Sequence, residues 1–222
     1  MWDAGAVTTP PPGLRERKKQ ATREALREAA LRLAVERGPD RVRIEDIAEA
    51  AGVSPRTYNN YFSSREQAIV AAVAADREAR IAAAVAARPA GERLADAITD
   101  AVVEQYTNTG EREREALLLI TTTTALRDAF LDTATGIEPP LTAVILERLG
   151  DEDPPTARVL AASVAAAVRI ALEGWLQPAE AAGAPGVTGL VVLSGSLPDL
   201  LRAALAPLTP AFDAAETPAP RP

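Results

Sequence analysis

The 222-residue chain contains no cysteine and no histidine. Their absence removes the commonest general base, the thiolate nucleophile and the usual zinc ligands. It also rules out a disulfide framework, so redox chemistry does not specify a compartment. No Gly-x-x-x-x-Gly-Lys phosphate loop is present, and Gly183, Gly186 and Gly189 have the wrong spacing for a dinucleotide loop and read as a flexible connector. Glu113 and Glu115 read as solvated helix charges rather than an acid–base pair. An enzyme is therefore not expected, nor a metal or cofactor. The opening residues lack the basic start and apolar stretch of a signal peptide. No segment reads as the ~20 apolar residues needed to cross a bilayer, so a cytoplasmic chain without membrane contact is expected. Aromatic residues make up 4% of a chain that is 47% apolar, which leaves Ala, Leu, Val and Ile to build the core. Lysine occurs only at positions 18 and 19; the remaining cations are arginines, consistent with the codon bias of a GC-rich genome.

Against these absences stands residues 44–62, IEDIAEAAGVSPRTYNNYF. Ile44, Ile47, Ala48 and Ala51 recur at helical spacing. Gly52 follows where a helix ends in a left-handed residue, and Val53 plugs the turn into the core. Ser54 is a good N-cap, and Pro55 sits at the first helical position, where its missing N–H is not needed. The small Ala48 allows a second helix to cross closely. This pattern predicts a helix-turn-helix, whose second helix enters the DNA major groove.

Within the second helix, Tyr58 and Phe62 lie four apart and face inward. At about 100° per residue, Arg56 and Asn60 then point away from the core, flanked by Thr57 and Asn59. Arginine can donate two parallel hydrogen bonds to guanine O6 and N7, and asparagine pairs similarly with adenine N6 and N7. Arg56, Thr57, Asn59 and Asn60 are thus the candidate base readers. A solvated helical hairpin would carry polar residues too, but the turn chemistry, apolar spacing and polar face agree on the DNA-reading alternative.

The segment resembles the N-terminal domain of TetR-type (tetracycline-repressor-like) transcriptional regulators. The resemblance rests on Glu36-Arg37-Gly38, the run Ile47 to Ser54, Thr57, Tyr61-Phe62 and Ser64-Arg65-Glu66, and covers about residues 15–68. It departs from the family at Asn59, where an aromatic is usual, and at Arg65, where lysine is usual. The resemblance implies an all-α chain, with a three-helix DNA-binding head followed by a larger helical effector-binding and dimerisation domain. It also implies backbone contacts from Thr22 and Arg23. Ser54, Tyr61 and Arg65 complete the expected phosphate contacts, Arg65 supplying the cation at that position.

Arg15, Arg17, Lys18 and Lys19 form a basic arm ahead of the first helix, suited to phosphates or the minor groove. The first helix carries Leu26, Ala29, Ala30, Leu33 and Ala34 on one face and ends at Gly38. The net charge of −7 is unevenly placed: residues 13–66 hold twelve Lys and Arg against nine Asp and Glu, and residues 67–222 hold twelve against twenty-one. A basic head on an acidic body fits a protein that meets DNA at one end.

Beyond the head the chain reads as helices throughout, with no strand. Residues 65–87 predict one connecting helix. Leu94, Ile98, Val102 and Tyr106 mark another, closed by Gly110. Glu111 opens a helix through Leu117–Ile120 and the Thr121–Thr124 run toward Phe130 and Gly136, the β-branched run marking a bend. Pro139 and Pro140 start a helix that Gly150 caps. Residues 155–178 form a long helix apolar nearly all round, and Ser196 opens a last one with Leu200, Leu201, Ala204, Leu205 and Leu208. By the resemblance, these last two helices pair with those of a second copy. Residues 181–195 receive no assignment.

Tyr106, Leu118, Thr121, Thr122, Phe130, Arg169 and Trp175 are the candidate walls of the implied effector pocket. Tyr106 also fits a core stripe, and Arg169 can simply pair with Glu173 one turn on. The expected divisions are a disordered tail at 1–13, a helix-turn-helix domain at 14–64, an effector-binding and dimerisation domain at 65–207, and a disordered tail at 208–222. The expected function is a homodimeric repressor that binds double-stranded palindromic operator DNA and is released by a small molecule; an effector-independent architectural DNA binder is the alternative.

Overall fold

The first helix, α1 (Leu14–Arg37), begins earlier than its apolar stripe requires. The structure, a computed structural model, describes residues 13–74, 77–108, 117–150, 153–178 and 191–217. In α1 the predicted stripe Leu26, Ala29, Ala30, Leu33 and Ala34 is buried. Gly38 ends it at φ 83°, its N–H donating to the Ala34 carbonyl. The short helices α2 (Ile44–Ala50) and α3 (Pro55–Tyr58) follow, joined through Gly52 at φ 69°. In that positive-φ region a side chain would clash with its own backbone, which is why glycine stands there.

The connecting segment expected as one helix is described as α4 (Arg65–Ala74) and α5 (Arg77–Ala86), with residues 75–76 outside the described set. Helix α4 packs against α1, so its buried Ala68, Ile69, Val70 and Val73 complete the head's core. Helix α4 also meets the body, at the helix over Thr124–Asp132, whereas α5 packs on the body, against α6 (Leu94–Thr107) and α8 (Glu138–Arg148). All four stripe residues of α6, Leu94, Ile98, Val102 and Tyr106, are buried as expected. Gly110, Glu111, Glu113 and Glu115 lie outside the described residues.

The threonine run breaks the helix rather than bending it. Residues 117–120 are helical, Thr121 and Thr122 turn, and Thr123 caps α7 (Thr124–Asp132) by accepting from the Leu126 N–H at 3.2 Å. Threonine suits this position because its hydroxyl substitutes for a missing helical partner. Gly136 does not end α7; it lies inside a 3₁₀ segment, Thr133–Ile137, that runs into α8. Next come α9 (Pro154–Trp175), α10 (Leu197–Leu205) and α11 (Thr209–Glu216). Ser196 stands at the N-cap of α10 but makes no capping bond.

Three expectations are corrected. A two-stranded antiparallel sheet exists: β1 (Leu176–Pro178) pairs with β2 (Val191–Leu193), in the register Leu176↔Leu193. The helix expected to reach 178 therefore stops at Trp175, and three-residue strands are too short to show alternation. Residues 181–190 lie outside the described set. The tail expected from 208 is a helix over 209–216: Phe212 is buried, Glu216 accepts from the Leu94 N–H at 3.1 Å, and Asp213 pairs with Arg93 at 2.7 Å. One aromatic and two acids anchor a segment whose Pro-Ala composition reads as disordered; residues 1–12 and 218–222 are outside the described set. Finally, α9 is 22 residues long with a mean hydropathy of 1.4 in its most apolar window, enough by length and composition to cross a membrane. Half of that window is buried within this chain, where α8 and α10 pack against it.

Candidate nucleic-acid interface

Local bonds hold α3 in place. Ser54 Oγ accepts from the Thr57 N–H at 3.1 Å and lies 2.9 Å from the Thr57 hydroxyl. Tyr58 and Phe62 are buried with ring centroids 5.8 Å apart, and the Tyr58 hydroxyl donates to the Ser64 carbonyl at 2.7 Å. Burial, with the negative charge of Glu66, raises the Tyr58 pKa far above the usual tyrosine range, so this donor keeps its proton. Beyond Tyr58 the chain tightens: Asn60 N–H bonds Thr57 O at 3.1 Å and Tyr61 N–H bonds Tyr58 O at 2.8 Å. With the aromatic pair inside, Arg56, Asn59 and Asn60 are exposed, and Thr57 and Tyr61 are partly so. Four of the five thus offer polar groups on one small outer surface; Thr57 already has a hydroxyl contact with the capping Ser54.

The basic arm is not ahead of the helix but is its first turns, since α1 starts at Leu14. At helical spacing Arg15, Lys18, Lys19, Thr22 and Arg23 share one face, while Arg17 projects elsewhere. All four arm cations are exposed. Cations there oppose the helix dipole by about 0.3–1 kcal/mol each, a cost that bound phosphate would reverse. Thr22 donates to the Lys18 carbonyl at 2.9 Å, and the Arg23 guanidinium lies 5.7 Å from the Phe62 ring centroid.

Arg65 departs from its expected phosphate role. Its Nη1 donates to the carbonyls of Asp40 and Val42, each at 3.0 Å, and its Nε donates to Glu66 at 2.6 Å. The guanidinium clamps the start of α4 to the loop between α1 and α2. Burial opposes ionisation of Glu66, but hydrogen bonding from Arg65 prevails and holds its pKa below the usual value.

The body brings together only part of the expected effector set. Tyr106 and Phe130 are buried and meet at Arg77, whose guanidinium carbon lies 4.5 Å and 5.7 Å from their ring centroids. Burial raises the Tyr106 pKa, while the charge of Arg77 pulls it down in part. Leu118 is 68% exposed and walls nothing within the protomer. Thr121 and Thr122 donate to the carbonyls of Leu118 and Leu119, satisfying the turn, and the Thr121 carbonyl accepts from Val191 N–H. Arg169 pairs with Asp132 at 2.7 Å and Glu173 at 2.9 Å, which commits it to the surface. Trp175 is half-buried at the end of α9, and its carbonyl accepts from Ser194 N–H. Sequence reasoning missed Arg77, although its position is a signal: it stands on the stripe continued by the buried Ile81 and Val85. A cleft of about 680 Å³ separates head from body, with Gln20, Arg23 and Gln67 on one wall and Glu78, Asp132 and Thr135 on the other.

Comparison with known proteins adds lineage to this geometry. Residues 26–72 match the family described as bacterial regulatory proteins, tetR family. The HTH-type transcriptional regulator TcmR of Streptomyces glaucescens is 41% identical over 90 residues, which is 40% of this chain and 39% of TcmR. The chain thus spans about two fifths of that relative. Among solved structures, a TetR-family regulator of Streptomyces coelicolor A3 aligns at 19% identity and TM-score 0.39, covering 93% of this chain and 99% of its own. Thermus thermophilus FadR, a TetR-family transcriptional repressor, aligns at 19% identity and TM-score 0.41, covering 90% and 100%. Residues 26–72, which hold the helix-turn-helix, are thus a tetR-family segment of the kind found in bacterial regulatory proteins.

Proposed function

We propose that the chain is a cytoplasmic transcriptional repressor that binds a palindromic operator as a homodimer and leaves it when a small molecule enters the body. The observation that carries this reading is the outer surface of α3 and the turn after it, where Arg56, Asn59 and Asn60 stand exposed over the buried Tyr58–Phe62 pair. Arg56 and Asn60 read base edges, and the cationic face of α1 holds phosphates. For dimerisation, α9 leaves Val159 and Ile170 exposed, at 64% and 63%, and α10 leaves Leu200 half-covered beside it. Two copies of these helices would form the four-helix interface that brings a second α3 to the neighbouring half-site. The recognition helices must then sit about 34 Å apart, one turn of DNA. An effector that tilts the heads changes this separation. A hundredfold loss of affinity requires only about 2.7 kcal/mol of preference for the released state.

The test is binding of the purified chain to DNA from upstream of its own coding region, with and without small-molecule extracts. Saturable binding at two protomers per site, released by extract, supports the proposal. Binding that no extract disturbs would assign an effector-independent role, and no binding to any DNA would overturn the reading.

A further inference from the structure

Arg77 is the one buried charged residue among those described, at 3% exposure. Its Nε and Nη1 have no hydrogen-bond acceptor among the described residues. Buried polar groups are almost always partnered, and a buried charge needs both an acceptor and an opposite charge. The rings of Tyr106 and Phe130 lie beside the guanidinium, and Nε–H and the Nη1 hydrogens are still left without an acceptor. Neither ring supplies a negative charge. The adjacent residue, Glu78, puts a negative charge near Tyr106, but its carboxylate packs toward Gly136, one oxygen 2.8 Å from where a Cβ there would stand, and gives no acceptor to Nε or Nη1 of Arg77.

We propose that Arg77 anchors the effector and that this effector is a carboxylate on an apolar, aromatic or aliphatic, body. The inference rests on the reading that the body binds a small molecule, and it names the chemical class. A carboxylate supplies what the site lacks, oxygen acceptors together with a negative charge, and charge-assisted bonds of this kind are the stronger ones. The rest of the environment asks for an apolar body: Tyr106 and Phe130 against the guanidinium, with Ile81 and Val85 further along its stripe. The head–body cleft passes next to the site: its lining residues Glu78 and Ala129 are chain neighbours of Arg77 and Phe130, and Ala74 stands three positions before Arg77, so the effector would enter past these three. Two of those three present only a methyl group.

The full chain is tested by calorimetry and thermal melting against two matched pairs, benzoate with benzamide and octanoate with octanamide. At least one carboxylate should bind tenfold or more tightly than its amide and raise the melting temperature by about 3–6 °C at ten times its Kd. Arg77→Met should weaken that carboxylate at least tenfold and melt no lower than the wild type, because it removes an unpaired buried charge while keeping the side-chain length. Arg77→Lys, which keeps the charge, should retain the preference for the acid. The inference is overturned if neither carboxylate binds better than its amide, as expected of a guanidinium satisfied by water. It is also overturned if Arg77→Met binds the acid as well as the wild type, or melts well below it. Operator binding of the wild-type chain is measured alongside: carboxylate binding without DNA binding would sink the regulator reading alone, and DNA binding without acid preference would sink this one alone.

Discussion

Arg56 and Arg65 lie nine positions apart and differ in how their guanidinium groups are used. Arg56 is exposed on α3, so Arg56→Ala should leave the fold intact, cost about 1–3 kcal/mol of operator affinity and relax specificity at one base pair per half-site. Affinity measured across a panel of single-base operator variants checks this, and an unchanged profile would mean that α3 is oriented differently on DNA. Arg65 donates to two backbone carbonyls, so Arg65→Ala should act on stability: about 1–3 kcal/mol, seen as a lower melting temperature, with the salt dependence of DNA binding unchanged. A flattened salt slope with an unchanged melting temperature would restore Arg65 to phosphate contact. The inward pair Tyr58 and Phe62 was legible because its partners lie within one helical turn. The role of Arg65 was not, because its carbonyl partners are 25 and 23 residues away in sequence.

At the scale of elements, the two halves of α1 have different tasks. The half from Leu26 onward is held by packing, and the half from Leu14 to Arg23 carries exposed cations. Deleting residues 1–19 should therefore preserve helicity and cooperative melting while removing four cations, three of them on the face proposed to meet DNA. Operator affinity should fall, most strongly at low salt, and the dependence of log K on log salt should become shallower by up to about three to four. An unchanged slope would leave the stripe with only a solubility role. Helices with long apolar stripes, α1, α6 and α8, were readable because 3.6-residue periodicity survives any context. The β1–β2 pair and α11 were not: each depends on tertiary partners, as when Ser194 N–H meets Trp175 O or Glu216 meets Leu94 N–H. The threonine run showed that regular helix would fail there, but only the Thr123 cap shows that a new helix begins.

For the molecule as a whole, the missing histidine and cysteine leave no side chain with an ordinary pKa between the carboxylates and tyrosine. Stability should be flat from about pH 5.5 to 9, and melting temperatures across that interval check it. Two of the three tyrosines, Tyr58 and Tyr106, have raised pKa values in the folded state, so their contribution is present below the ordinary tyrosine range near pH 10 and is lost as pH rises beyond it. Asp153, held down by hydrogen bonds from the Thr156 hydroxyl and N–H, and Glu66, held down by Arg65, work in the opposite sense: their contribution is lost as pH falls below the carboxylate range. A transition near pH 6.5 would contradict this account. The charge division has a parallel effect: the acidic body repels DNA and the basic head attracts it, which favours approach by one end.

Lys18 and Lys19 stand side by side on the exposed start of α1, and no other lysine exists in the chain. Amine-directed acylation, which elsewhere decorates a protein at random, is confined here to these two neighbouring side chains and the terminal amine. If a duplex covers the start of α1 as proposed, its protection of these two amines, and their exposure after its release, can be read from one short peptide.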